Sequence, residues 1–275
     1  MRHKQVLASA EVIKSLNDWK REIVKSGCYI PFITVRKVNK IGRRHWIFCP
    51  RQKRQVHLLS DGEFRAYKIL LWKPNVISVE EQFALDIDET LDIAVAANLI
   101  HPRDWKTNLA HVMTTDFVVT IRLDDYSQKR IAYTFKYWDQ IFKRLDNGDV
   151  EKIKARTWQK FAIEREYWRK RNVEYRVITE LDTTKISAWN IEYFELSHDL
   201  VASADELKEF GLAFIESWTI EPRAELQDHF ESVQHRINKP YQRVQSLFQY
   251  SCLHHLLPVK TDKYIRLFRA VELSL

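Results

Sequence analysis

Two runs rich in Val, Ile, Thr, Phe and Tyr, residues 112–122 and 129–138, flank the polar stretch Asp124-Asp125-Tyr126-Ser127-Gln128. A polar break between two such runs reads as an antiparallel hairpin. With the turn centred near Tyr126, the numbers of facing residues sum to about 252, which sets Asp116 opposite Lys136. Side chains alternate along a strand, so Asp116, Thr134 and Lys136 share one face. A one-residue slip in pairing would separate them.

The rest of the chain is read around that hairpin. Val12, Ile13, Leu16, Trp19, Ile23 and Val24 recur at helical spacing over residues 9–26. Strands are expected over 29–38 and 44–48, joined by Asn39-Lys40-Ile41-Gly42. Ser60-Asp61-Gly62-Glu63 has capping-box spacing and opens a helix. A short strand over 76–80 and a helix within 86–100 precede the hairpin. A long charged helix over 150–171 and a strand over 173–179 follow it, closing an α/β domain at residue 180. Residues 181–275 read as mostly helical, with a second capping box at Ser203 and Glu206, a helix opening at Pro240 and a last strand over 264–273. That pattern suggests a small winged-helix-like domain.

Charge is unevenly placed. The whole chain carries +7, but residues 1–60 carry +11, residues 61–180 are neutral and residues 181–275 carry −4. In the first segment Arg36, Lys37, Arg43, Arg44, Arg51, Lys53 and Arg54 alternate with Tyr29, Phe32, Trp46 and Phe48. Basic residues mixed with aromatics suit the phosphates and bases of a nucleic acid, and equally a solvated hairpin whose aromatics face the core. The 45% hydrophobic and 29% charged content exclude wholesale disorder. No apolar run reaches membrane-helix length. Three widely spaced cysteines make neither a disulfide framework nor a zinc ribbon, and suit a reducing cytoplasm. Five glycines leave no phosphate-binding loop of the P-loop or dinucleotide type.

Glu63, Asp116 and Lys136 form the candidate chemical group. Phosphodiester hydrolysis uses carboxylates that hold a divalent ion and a cation that orients water and offsets developing charge. Each residue has a plainer reading: Glu63 as a capping glutamate, Asp116 with Lys136 as a cross-strand ion pair, Glu164 as a solvated helix position.

Five blocks, in order and spacing, resemble the TnsA family: Tyr29-Ile30-Pro31, the stretch from Val56 to Glu63, Glu81-Gln82-Phe83, the stretch from Met113 to Phe117, and Glu164-Arg165-Glu166-Tyr167-Trp168. This is the endonuclease subunit of heteromeric, Tn7-like TnsABC transposases. The resemblance covers residues 28–180. It implies a restriction-endonuclease-like, PD-(D/E)xK core: a mixed sheet flanked by helices, followed by a winged-helix-like domain that binds partners. It implies a Mg²⁺-dependent DNA endonuclease, with Mn²⁺ as a substitute, cutting the 5′ ends of a transposon. The implied partners are double-stranded transposon-end DNA, a TnsB-like DDE transposase and a TnsC-like AAA+ ATPase, in a bacterial cytoplasm at the nucleoid and away from membranes.

By motif, the resemblance makes Glu63, Asp116 and Lys136 catalytic, with Glu63 and Asp116 on the metal and Glu164 a secondary acid. Thr134 stands where the family motif carries Gln or Glu, so the second metal contact falls to Thr134 or to the backbone carbonyl of Phe135. Two rival expectations stand beside this one: a stand-alone restriction or repair nuclease, and a DNA-binding scaffold disabled by Thr134.

Overall fold

The structure, a computed structural model, describes residues 6–38 and 42–274. Two compact units divide the chain at residues 183 and 184; the sequence pattern places that division at 180.

The first unit begins with α1 (Ala10–Ser26), capped by Ser9 at its start and closed by Gly27 in the left-handed conformation. The strand expected over 29–38 does not form: residues 29–38 are turns and irregular backbone. The Asn39-Lys40-Ile41 part of the expected link lies outside the described residues. Instead β1 (His45–Cys49) pairs antiparallel with β2 (Arg54–Leu58) in a two-stranded ribbon. Tyr29 and Phe32 are held by tertiary packing rather than by a ladder. Both rings meet Trp19 of α1 edge to face, and the Tyr29 hydroxyl donates to the Glu81 carbonyl at 2.7 Å.

After α2 (Asp61–Trp72), four strands make a mixed sheet in the order β3 (Val76–Ala84), β4 (Thr114–Arg122), β5 (Gln128–Phe135) and β8 (Glu174–Ile178). The first three are antiparallel and β8 runs parallel to β5. Helix α3 (Ile87–Ala96) lies between β3 and β4 in sequence. Between β5 and β8 come the short helix α4 (Trp138–Ile141), a small hairpin of β6 (Phe142–Arg144) and β7 (Val150–Lys152), and α5 (Ala155–Arg169). The helix expected over 150–171 therefore starts five residues late. The loop between β6 and β7 carries Asn147-Gly148, with Gly148 at φ +89°, a conformation that favours glycine and tight hairpin turns. Lys154, at φ +54°, breaks the backbone before α5 begins.

Each face of the sheet is covered. Tyr67, Leu70 and Leu71 of α2 pack with Phe117, Val119, Ile131, Tyr133 and Phe135. Ile163, Tyr167 and Trp168 of α5 pack with Val118 and Ala132 on the other side. Burying both faces explains why β4 and β5 read as near-continuous apolar runs rather than a clean alternation.

The second unit is helical: α6 (Lys185–Glu195), α7 (Ala204–Ile220), α8 (Leu226–Ile237) and α9 (Tyr241–Leu253). The strand expected over 264–273 is irregular backbone with one bridge, Val259 to Leu273. Its apolar residues, Ile265 and Val271, are buried as single anchors and not as one side of a sheet. Among the described residues no helix is long and apolar enough to cross a membrane.

Candidate active site

Glu63 is delivered by the passage from β2 into α2. Val56 and Leu58 are fully buried and fix the strand. Ser60 caps the helix, its hydroxyl accepting the Glu63 N–H at 3.1 Å. The Glu63 carboxylate reaches past the cap: Oε2 accepts the Leu59 N–H at 2.9 Å and the Gln82 side-chain amide at 3.1 Å. The cap position is real, yet the carboxylate is turned to β3 as well as to its own helix start. Gly62 makes the approach possible, because a Cβ there would overlap the Phe135 ring.

Asp116 does not face Lys136 across the ladder. The observed pairs, Phe117 with Tyr133 through Arg122 with Gln128, set the register two residues from the expected one. The hairpin loop is 123–127, closed by the Leu123 N–H on the Ser127 carbonyl and by Tyr126 at φ +64°. An even shift keeps the same residues on the same face. Extended by one step, the observed register brings Asp116 level with Thr134. Asp116 Oδ2 accepts the Phe135 N–H at 2.8 Å, and Lys136 is the next residue, its own N–H donating to the Ile178 carbonyl at 3.0 Å on β8.

Around Asp116 the strand alternation changes phase. Phe117 and Val119 pack on the α2 side, whereas Met113 and Val118 pack on the α5 side. Thr115 is consequently buried against α5, where its hydroxyl donates to Glu164 at 3.2 Å and accepts the Trp168 indole N–H at 2.8 Å. The Thr134 hydroxyl donates to the same Glu164 oxygen at 2.7 Å. Thr134 thus anchors Glu164, and Glu164, at 3% exposure, is not the solvated helix position that spacing alone allows.

Electrostatics tie these groups together. Burial, and then the Asp116 charge, push the Glu63 carboxyl up to about 7. The same two causes push Glu164 up to about 7. Lys136 pulls both in the opposite direction. Three carboxyl groups therefore share one field with two lysines, Lys136 acting on Glu63 and Glu164 and Lys160 acting on Glu164. Such an excess of buried negative charge calls for a cation.

Among the described residues no three His, Cys, Asp or Glu side chains are grouped closely enough to hold an ion by themselves. The donors are nevertheless all oxygens, which suits Mg²⁺, an ion that takes one or two carboxylates and keeps several waters. Glu63 and Asp116 fit that role. The Thr134 hydroxyl is engaged with Glu164, so its hydrogen-bond donor is committed before any ligand arrives.

The basic segment divides in two. Arg54 is withdrawn from the surface: its guanidinium donates to both Glu81 oxygens at 2.9 and 2.6 Å, with 8% and 0% side-chain exposure for the pair. Arg51 donates to the carbonyls of Leu71 and Val76, and Arg44 to those of Val35 and Val38. Of these three, Arg54 is turned from the surface onto a buried carboxylate, whereas Arg44 and the still exposed Arg51 also hold backbone carbonyls. A guanidinium has five donors in a fixed fork and suits such acceptors as well as it suits phosphates. Arg36, Lys37, Arg43 and Lys53 remain exposed. Arg36 lies 4.5 Å from the centre of the half-exposed Trp46 ring. The ribbon abuts the start of α2, since His45 Nε2 bonds Asp61 Oδ1 at 2.7 Å.

Sequence reasoning gives no role to Gln82. Its only mark there is its place in the Glu81-Gln82-Phe83 block, where a polar pair interrupts an apolar strand.

Comparison with known proteins bears on this geometry. Residues 73–180 match the family described as TnsA-like endonuclease N terminal; that span holds Asp116, Thr134, Lys136 and Glu164 but not Glu63. The chain is also 30% identical over 185 residues to the transposon Tn7 transposition protein TnsA of Escherichia coli. The aligned region is 65% of this chain and 62% of that relative, so the chain spans less than two thirds of the relative's length.

Proposed function

This chain belongs to the TnsA family, and from that premise we propose that it is the metal-dependent DNA endonuclease subunit of a Tn7-like transposase, hydrolysing phosphodiester bonds at the 5′ ends of the element. The observation that carries the reading is the shared field of Glu63, Asp116, Glu164 and Lys136, with two carboxyls pushed up to about 7 by burial and by the Asp116 charge.

Glu63 and Asp116 hold Mg²⁺, or Mn²⁺ in its place, with the Phe135 carbonyl as a further oxygen donor. When bound, the ion neutralises phosphate charge and lowers the pKa of a coordinated water. Lys136 orients the attacking water and stabilises the charge that builds on the scissile phosphate. Glu164, fixed by Thr115 and Thr134, sets the field at Asp116 and stands ready to take a proton, since its pKa lies near neutral. Arg36, Lys37, Arg43 and Lys53 contact the DNA backbone beside α2, with Trp46 and Phe48 exposed on the same ribbon at 50% and 57%. The acidic second unit serves as a winged-helix-like module for protein partners, a TnsC-like ATPase above all; Leu212 and Ile220 of α7 are exposed there among acidic residues.

The test is strand-specific cleavage of transposon ends by this chain together with its TnsB-like and TnsC-like partners. Asp116→Ala and Lys136→Ala are expected to abolish 5′-strand cutting while 3′ processing continues. Unchanged 5′ cutting in either variant would defeat the assignment, and cutting by the chain alone would favour a stand-alone nuclease. One observation favours the scaffold reading: Thr134 in the motif place of Gln or Glu, its hydroxyl turned to Glu164. Titration of the wild-type chain with Mn²⁺, with and without DNA, separates the two, because a scaffold takes up none.

A further inference from the structure

Gln82 is a non-glycine residue in the left-handed region, at φ +51°, with its side chain buried at 2% exposure. A conformation of that kind persists only where the surroundings impose it, and such residues gather at functional sites. Its effect here is visible in the neighbours. Glu81 reaches Arg54 on β2 and Gln82 reaches Glu63 on α2. Two consecutive residues of a regular strand cannot both be directed to the same side. The left-handed turn at Gln82 is what lets them.

The side chain is pinned at both ends of its amide. Nε2 donates to Glu63 Oε2 at 3.1 Å, and Oε1 accepts from the Thr114 hydroxyl at 3.4 Å. The backbone carbonyl accepts the Phe32 N–H at 3.2 Å. Glu63 is treated unequally as a result. Oε2 holds two donors, the Leu59 N–H at 2.9 Å and the Gln82 amide. Among the described residues, Oε1 has only the Ser60 hydroxyl at 3.4 Å, and that hydroxyl oxygen also accepts the Glu63 N–H.

We propose that Gln82 is a positioning residue that occupies Oε2 of Glu63, so that Glu63 offers a single oxygen, Oε1, to the divalent ion. The proposal rests on the reading of Glu63 as a metal ligand and adds to it the mode of binding and the residue that enforces it. A carboxylate free to rotate offers either one oxygen or two; one tied by a backbone N–H and a side-chain amide offers one. Partners of this outer kind orient the ligand and raise affinity without touching the ion.

The experiment is calorimetric titration of the full chain with Mn²⁺, paired with thermal unfolding of the metal-free protein. The variants are Gln82→Asn, Gln82→Met and Glu63→Gln. Methionine keeps the length and removes the donor. Asparagine tolerates the left-handed backbone better than glutamine but is one methylene too short to reach Glu63. Both Gln82 variants are expected to bind Mn²⁺ roughly 10- to 100-fold more weakly, while Gln82→Asn unfolds at or above the wild-type temperature. Reduced affinity at full stability is a signature that a merely structural glutamine cannot produce. Wild-type affinity in both Gln82 variants, with Mn²⁺ binding abolished in Glu63→Gln, overturns this inference and leaves the metal site standing. Wild-type affinity in Glu63→Gln as well overturns both.

Discussion

The first unit contains two buried clusters of charge, and they are built on opposite principles. At Arg54 and Glu81 the charges balance. One guanidinium meets one carboxylate in a two-point pairing, the His57 N–H adds a third donor to Glu81 at 3.1 Å, and neither side chain reaches solvent to any extent. At Glu63, Asp116 and Glu164 burial and mutual repulsion outweigh the cations: Lys136 acts on Glu63 and Glu164 and Lys160 on Glu164, yet both glutamates are pushed up to about 7. A balanced buried pair is a structural element, whereas an unbalanced group stays buried by taking up protons or by binding a cation. Both clusters border β3, where Glu81 belongs to one and its neighbour Gln82 adjoins the other.

The sharpest way to break this contrast is to remove one charge from each cluster. Arg54→Met leaves Glu81 buried and unpaired, which is expected to cost about 3–5 kcal/mol in urea unfolding. Asp116→Asn should do the reverse in metal-free protein, raising the thermal midpoint at pH 8 by relieving the repulsion on Glu63 and Glu164. Equal destabilisation by both changes would erase the distinction.

Gly62→Ala comes next. Its Cβ forces the Phe135 ring aside, an overpacking expected to cost about 1–3 kcal/mol. It also displaces Glu63, so cleavage should fall further than stability; a drop in unfolding free energy with full cleavage would show that Glu63 tolerates the shift.

A smaller effect lies in pH. The folded-state pKa values of Glu63 and Glu164 are raised above their ordinary 4.5 to about 7, so folding favours their protonated forms. The stability this contributes is present in full below about pH 4.5 and is lost as pH rises through 7. The thermal midpoint of metal-free protein should therefore fall between about pH 5 and pH 8, and Mn²⁺ should restore it at the upper end. Asp116→Asn should flatten the fall in part, because burial is the larger cause and remains.

The smallest expected change concerns the ribbon. Replacing Arg43 and Lys53 with Gln should lower the salt dependence of DNA affinity by about 0.9 in log–log slope for each phosphate no longer neutralised. The same change at Arg51 should instead lower folding stability, since its donors serve the Leu71 and Val76 carbonyls.

Much of this molecule was legible in its residues. The caps at Ser60 and Ser203 act locally, through one hydroxyl and one N–H three residues on, and both form. The hairpin of β4 and β5 was legible in its two β-branched runs. Its register was not, because it depends on how a five-residue loop closes on Leu123 and Ser127. Residues 29–38 look like a strand and lack one: Tyr29 and Phe32 are aromatic because Trp19 packs on them, not because a ladder holds them.

The sequence by itself determined the residue types of the site, the hairpin that carries Asp116 and Thr134, and the helix start that carries Glu63. All of these follow from local periodicity and from spacings of a few residues. Only the tertiary structure decided that Arg54 faces inward, that Glu164 is buried on Thr115 and Thr134, and that the Gln82 amide reaches Glu63. Those depend on hydrogen bonds between residues 19 to 49 positions apart. Desolvation and charge pairing act through space, and no local pattern in the chain records them.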